Sequence, residues 1–312
     1  MTVCIAAIFE GTGVVGASDR MITSGDVEYE PPQTKLVTLT TSITAMIAGD
    51  AHFQTEIFMT VFDKVNAHVS ANPNEWLSVK TVADWCYEAF QNLRSSRIEQ
   101  MLLHPLGLDK NTFISRQNEL QPQLAMKLAS EMLNFDMPGI ETIIAGVDPS
   151  GPHIFVVDNK GVTARDSIGF AAIGIGYWHA NSQFMFSEYA RWKPMPEVLL
   201  LTYAAKRRAE VAPGVGEGTD MFMIGPNLGS HFVIGGHVLE ALDGIYGKTR
   251  KNAQTSIGKA KKEVTTYLDE LTQKSQEVAS IPAPPQTAPR ALPEGRADAK
   301  DGTEPEDDKK GT

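Results

Sequence analysis

Four residues in the first fifty have the side-chain types needed to open an amide bond: Thr2, Asp19, Lys35 and Gly49. Threonine supplies a hydroxyl nucleophile. Once Met1 is removed, the α-amine of the same residue has a reference pKa of about 7.7 to 8.0 and can take the hydroxyl proton near neutral pH. Removal of Met1 is expected because the residue after it is small. A lysine ammonium beside the hydroxyl favours the alkoxide, and a carboxylate keeps that lysine charged and oriented. A glycine N–H can approach a reacting carbonyl closely enough to hold an oxyanion.

These residues act together only if the fold gathers them, and the surrounding strands predict that it does. Val3 to Phe9 and Val14 to Ser18 are small, β-branched or aromatic runs joined by Glu10-Gly11-Thr12-Gly13, a hairpin-turn composition. Residues equidistant from an antiparallel turn lie opposite each other. A centre between Glu10 and Gly11 sets Thr2 opposite Asp19. A second hairpin, Lys35 to Leu39 and Ile43 to Ala48 centred on Ser42, sets Lys35 opposite Gly49. Each residue alone has an ordinary reading: Met-Thr starts are common, Asp-Arg often ends a strand in solvent, and a lysine often guards a strand edge. Their meeting at the open ends of two hairpins is what points to a site.

From Gln54 the apolar period changes to that of helices, over Ile57 to Val65 and again from Val79 to Leu103, with a third helix at Gln123 to Leu133 and an irregular stretch between. Strands return at Thr142 to Val147, His153 to Val157 and from Val162. Helices follow over Trp178 to Ala190 and Glu197 to Glu210, then strands at Met221 to Ile224 and His231 to Ile234. A long helix closes the pattern from Val238 to about Gln276. Antiparallel hairpins alternating with helix pairs predict an α+β layered sandwich rather than a parallel βαβ sheet. From about 281 the chain is rich in Pro, Ala and charge, which predicts a disordered tail.

The net charge of −10 argues against nucleic acid or an anionic membrane as the main partner. No apolar run reaches the roughly 18 to 20 residues that a membrane helix needs. Two cysteines, Cys4 and Cys86, in apolar segments and the lack of a basic stretch before the first strand predict a reducing, cytoplasmic setting. None of the seven histidines has metal-binding spacing, and the amide chemistry above requires neither metal nor cofactor. Gly174-Ile175-Gly176 and the "GVGEG" at 214–218 fall short of nucleotide-binding loops. Cys4 reads as a small core residue on the Thr2 face of its strand, Lys206-Arg207-Arg208 as a solvated helix face, and Trp85, Trp178 and Trp192 as packing residues.

The stretch "TVCIAAIFEGTGVVGASDR…KLVTLTTSITAMIAGDA" resembles the start of proteasome β-type subunits and their bacterial relatives, the ancestral β-subunit-like proteins and the heat-shock-locus peptidase. "IIAGVDPSGPHIFVVDNKGVTARDSIGFAAIGIG" and "VGEGTDMFMI" resemble the middle and late strand pairs of the same family, so the likeness spans about residues 2 to 240. It implies a four-layer αββα fold of the N-terminal-nucleophile (Ntn) hydrolase type. It also implies Thr2 as nucleophile and base, Asp19 and Lys35 as its activating pair, and Gly49 as the oxyanion donor. A peptide or protein substrate and a homo-oligomer, in relatives a ring, follow from the same resemblance; it does not name an unfoldase partner. Ile22 and Ile47 flank the expected pocket and favour an apolar substrate side chain. The implied organisation is an Ntn hydrolase domain at 1–240, a helical extension at 241–278 and the tail at 279–312.

The chain departs from the family pattern where the Thr amine is normally supported. Ile175 stands in place of a serine, and Ala212 and Val215 stand in place of an aspartate and a second serine, leaving Asp166, Ser167 or Glu217 as the polar residues that could substitute. The expected activity is a threonine-type peptidase acting through an acyl-enzyme. A catalytically silent assembly subunit, or an amidase or transpeptidase of narrow specificity, are the alternatives.

Overall fold

The computed structural model describes residues 2–24, 27–32, 34–137 and 139–279. The expected tail from 280 onward and the fate of Met1 lie outside the described residues. The first strand, β1 (Cys4–Phe9), is buried along its whole length, as its unbroken apolar sequence requires. Its side chains divide by the two-residue period of a strand. Val3, Ile5, Ala7 and Phe9 join one core cluster, and Cys4, Ala6 and Ile8 join another.

β1 is an inner strand of a five-stranded antiparallel sheet. Its neighbours are β2 (Gly13–Asp19) and β10 (Phe170–Ile173). β11 (Thr219–Ile224) and β12 (His231–Ile234) follow β2 outward. A second antiparallel sheet runs β5 (Leu36–Thr40), β6 (Ile43–Gly49), β7 (Ile140–Asp148), β8 (Gly151–Asp158) and β9 (Gly161–Ala164) in chain order. A short ribbon of β3 (Ile22–Ser24) and β4 (Val27–Tyr29) stands between β2 and β5 in sequence.

Three apolar clusters organise these elements. One is shared by the two large sheets, from Ala6, Ile8 and Phe222 to Met46, Ile143 and Ile154. The second covers the β5–β9 sheet with α1 (Ala51–Ala71) and α2 (Val79–Ile98), through Val61, Val65, Val82 and Phe90. The third covers the β1 sheet with α5 (Tyr177–Phe186), α6 (Met195–Ala209) and the start of α7 (Gly236–Ala279). The stretch expected to be irregular holds α3 (Lys110–Arg116), whose N-terminus is capped reciprocally by Asp109 and Thr112. α3 packs with α4 (Pro122–Leu133) around Leu103, Phe113 and Leu128.

Both hairpin registers differ from expectation. Cys4 pairs with Ser18 and Phe9 with Gly13, so the first hairpin centres on Gly11 and Asp19 faces Val3, not Thr2. The connection is three residues long with Glu10 and Gly11 both at positive φ, 52° and 64°. In the second hairpin Leu36 pairs with Met46, and the register shifts between Thr38 and Thr40. That β-bulge moves Gly49 away from the position opposite Lys35.

The chain divides into two compact units, residues 1–250 and 251–312. The first therefore runs past the expected boundary at 240, and Leu242 is buried within it while Asp243 accepts a 2.9 Å hydrogen bond from the Tyr203 hydroxyl. In the second unit, α7 is exposed at every residue from Lys251 to Gln276. Among the described residues, no helix is long and apolar enough to cross a membrane.

Candidate active site

Despite the altered register, the side chains of Thr2, Asp19 and Lys35 converge. The Thr2 hydroxyl donates to Asp19 Oδ1 and accepts from Lys35 Nζ, and Lys35 Nζ lies 2.8 Å from the same Asp19 oxygen. Asp19 is wholly buried, and five donors satisfy it: the Thr2 hydroxyl, Lys35 Nζ and the backbone N–H of Val3, Met21 and Gly216. A carboxylate so supplied is held in one orientation. The neighbouring Arg20 turns elsewhere and forms a forked pair with Asp220.

Two glycines fix the Thr2 backbone. Gly176 N–H donates to the Thr2 carbonyl at 3.3 Å. Gly174 sits at φ +82°, and a Cβ there would collide with that carbonyl, so only glycine fits. Glu141, from β7, accepts the Gly174 N–H at 2.9 Å. Behind Thr2, Cys4 is fully buried and its thiol donates to the Ile47 carbonyl at 3.5 Å. Burial pushes the Cys4 thiol up to about 12, so it stays protonated near neutral pH.

Thr2 opens onto a cavity of about 750 Å³ whose walls include Gly49, Glu141, Lys160, Ile175 and Tyr177. Gly49 sits at φ +123°, and a Cβ there would collide with the Gly139 carbonyl. Ile175 stands on the cavity wall. Ala212 and Val215 are buried under α6, and Val215 packs beside Gly176. Neither Ile22 nor Ile47 lines the cavity. Ile47 is buried in the cluster beneath α1 and α2, because its side chain alternates to the helix side of β6, and Ile22 opens β3. The apolar wall comes instead from Ile140 and Ile175.

The polar substitutes also fall elsewhere. Asp166 accepts from Ile154 N–H at 2.8 Å and pairs with His153 Nδ1 at 2.6 Å, and Ser167 is exposed in a turn. Glu217 contributes its backbone carbonyl, which accepts from Lys206 Nζ at 2.6 Å. Lys206 is not on a solvated face at all: its side chain is 0% exposed. Trp178 and Trp192 are 69% and 74% exposed, so of the three tryptophans only Trp85 packs against a core cluster.

A second polar cluster, unforeseen in the sequence, lies at the β7–β8 turn. Ser150 Oγ is 2.8 Å from His153 Nε2 and donates to Asp148 Oδ1 at 2.5 Å, while His153 Nδ1 meets Asp166. Among the described residues, no group of three or more His, Cys, Asp or Glu is placed to hold a metal ion. No protein-family model matches the chain, and no curated protein matches it.

Proposed function

We propose that this protein is a threonine-type amidohydrolase of the proteasome-like Ntn class, with the four-layer αββα arrangement of that class, acting on peptide or protein amides. The observation that carries the reading is the Thr2 hydroxyl held between Asp19 and Lys35 at the wall of a cavity. Removal of Met1 frees the Thr2 α-amine as the base. The hydroxyl proton passes to that amine as Oγ1 bonds the substrate carbonyl carbon, and Lys35 stabilises the oxygen as it sheds the proton. Collapse of the tetrahedral intermediate breaks the C–N bond, and the amine returns the proton to the departing nitrogen. Water then attacks the ester, giving one proton to the α-amine and, through it, restoring the Thr2 hydroxyl. Gly49, on the same cavity wall, is the proposed oxyanion donor.

The reaction needs no cofactor, and a cytoplasmic homo-oligomer is part of the same reading. Intact-mass analysis of the purified protein, followed by peptide mapping after a peptidyl β-lactone, tests it. Loss of Met1 and an acyl adduct on Thr2 are expected; retained Met1 would overturn it. Ile175, Ala212 and Val215 favour a second reading, a catalytically silent assembly subunit, for which the β-lactone leaves a processed Thr2 unlabelled. Native mass spectrometry reports the oligomer in either case.

A further inference from the structure

Lys206 is a cation shut inside the protein, and its partners lead to the catalytic carboxylate. Its ammonium has three N–H donors, and three acceptors meet them: Glu210 Oε1 at 2.6 Å, the Gly216 carbonyl at 2.9 Å and the Glu217 carbonyl at 2.6 Å. An ordinary Lys–Glu pair one helical turn apart lies in water and contributes little. This one is inside, and two of its three bonds go to a loop rather than to the helix.

That loop is the segment whose Gly216 N–H donates to Asp19 Oδ2 at 3.1 Å. Its far end is tied as well, since Gly218 N–H donates to Glu30 at 3.0 Å. The approach at Gly216 is close: a Cβ there would run into Glu30 and lie 3.0 Å from Met21 Cβ. Among the described residues, Asp19 Oδ2 accepts from Gly216 N–H and Met21 N–H, while Oδ1 serves Thr2, Val3 and Lys35. The rotation of the carboxylate, and with it the direction in which Oδ1 faces the Thr2 hydroxyl, therefore depends on where the 216–217 backbone is held.

We propose that Lys206 is a positioning residue for the threonine nucleophile, fixing the Gly216 N–H against Asp19. This rests on the Thr2 reading above and deepens it. The polar support missing on the Ile175, Ala212 and Val215 side is supplied from behind the carboxylate, by a buried cation acting through two backbone carbonyls. The charged groups around Lys206 are Glu210 and Arg207 on its own helix, Glu217 on the loop, and Asp19 with Lys35 beyond it. Burial pulls the Lys206 ammonium below the ordinary lysine value, and Glu210 and Asp19 hold it up. Removing the Glu210 charge therefore makes Lys206 lose its proton at lower pH, and with it the charge that strengthens its two carbonyl bonds.

The test is the rate of Thr2 acylation by a peptidyl β-lactone on the processed full-length protein, resolved into kinact and KI. In Lys206→Met, kinact is expected to fall at least tenfold with KI within twofold and the circular-dichroism spectrum retained, and Lys206→Arg is expected to recover most of the loss. In Glu210→Gln the alkaline limb of the kinact profile is expected to move to lower pH by about one unit. Simple loss of packing would move neither the limb nor the balance between kinact and KI. Wild-type kinact in a folded Lys206→Met overturns the role of Lys206 alone. Equal losses in folded Met and Arg variants overturn it too. If Lys206→Met does not fold, an unshifted limb in Glu210→Gln overturns it. Absence of label on wild-type Thr2 overturns the nucleophile itself, and the role of Lys206 with it.

Discussion

Two polar clusters in this protein bring a hydroxyl, a nitrogen base or cation, and carboxylates together. Judged by side-chain identity, the turn cluster of Ser150, His153 and Asp166 is the more familiar catalytic set. In both clusters the hydroxyl donates to a carboxylate, Ser150 to Asp148 and Thr2 to Asp19, and the difference lies in what surrounds them. None of its residues lines the cavity that Thr2 lines. The Thr2 cluster has no histidine, but its hydroxyl accepts from an ammonium and faces an open cavity of about 750 Å³. Proximity of a hydroxyl to a base is common in turns. A hydroxyl with a cation on one side and room on the other is what acyl transfer requires.

The largest effect that could break this comparison comes from the two hydroxyls themselves. Thr2→Ala is expected to lower peptide-amide turnover by at least about 10³-fold, and Ser150→Ala to leave it within about twofold, measured on a panel of fluorogenic peptides. The reverse pattern would transfer the chemistry to the turn. Next comes stability. Lys35→Met leaves the buried Asp19 carboxylate without its cation and is expected to lower unfolding free energy by about 3 kcal/mol, the small end of the range because Lys35 is partly exposed. His153→Gln, at a wetter site, is expected to lower it by about 1 kcal/mol in the same urea titration.

A smaller effect reads how dry the first cluster is. Burial raises both the Cys4 and Cys86 thiols to about 12, whereas an unfolded chain releases those protons near the ordinary thiol value. Both thiols thus contribute stability that is complete below about pH 8.5 and is lost as pH rises toward 12. The urea midpoint is expected to fall between pH 8 and pH 10.5, and native protein at pH 8 is expected to resist iodoacetamide. Rapid alkylation of Cys4 would mean that water reaches behind Thr2. The smallest effect tests the apolar wall. Ile175→Ser is expected to raise the β-lactone rate about fivefold, the worth of one hydrogen bond of about 1 kcal/mol, with little change in stability.

Much of this site was legible in residue types, and less of it in register. Thr2, Asp19 and Lys35 were found by hairpin arithmetic whose two centres were each misplaced. The first failed because a three-residue connection with Glu10 at positive φ looks like a two-residue turn in sequence. The second failed because a bulge between Thr38 and Thr40 leaves no compositional mark. The site survives both errors because long side chains at strand ends reach across a residue or two. Lys206 was missed by reading the run Lys206-Arg207-Arg208 as a block of charge. The signal was in the helix period: Thr202, Ala205 and Ala209 are buried, and Lys206 lies one turn beyond Thr202 on the same stripe. A lysine on an apolar stripe with Glu210 one turn ahead announces an interior pair.

The strand order around β1 bears on how the protein is made. β1 and β2 leave the ribosome well before their outer partners β10 and β11, which are encoded more than one hundred and fifty residues later. The early hairpin must wait, unsheltered on both edges, until the second half of the chain arrives. Gly174, Gly176 and Gly216, which anchor Thr2 and Asp19, belong to that late half. A ribosome-stalled fragment ending before β10 should therefore carry Thr2, Asp19 and Lys35 but lack the late glycine backbone that seats the Thr2 carbonyl and the far oxygen of Asp19.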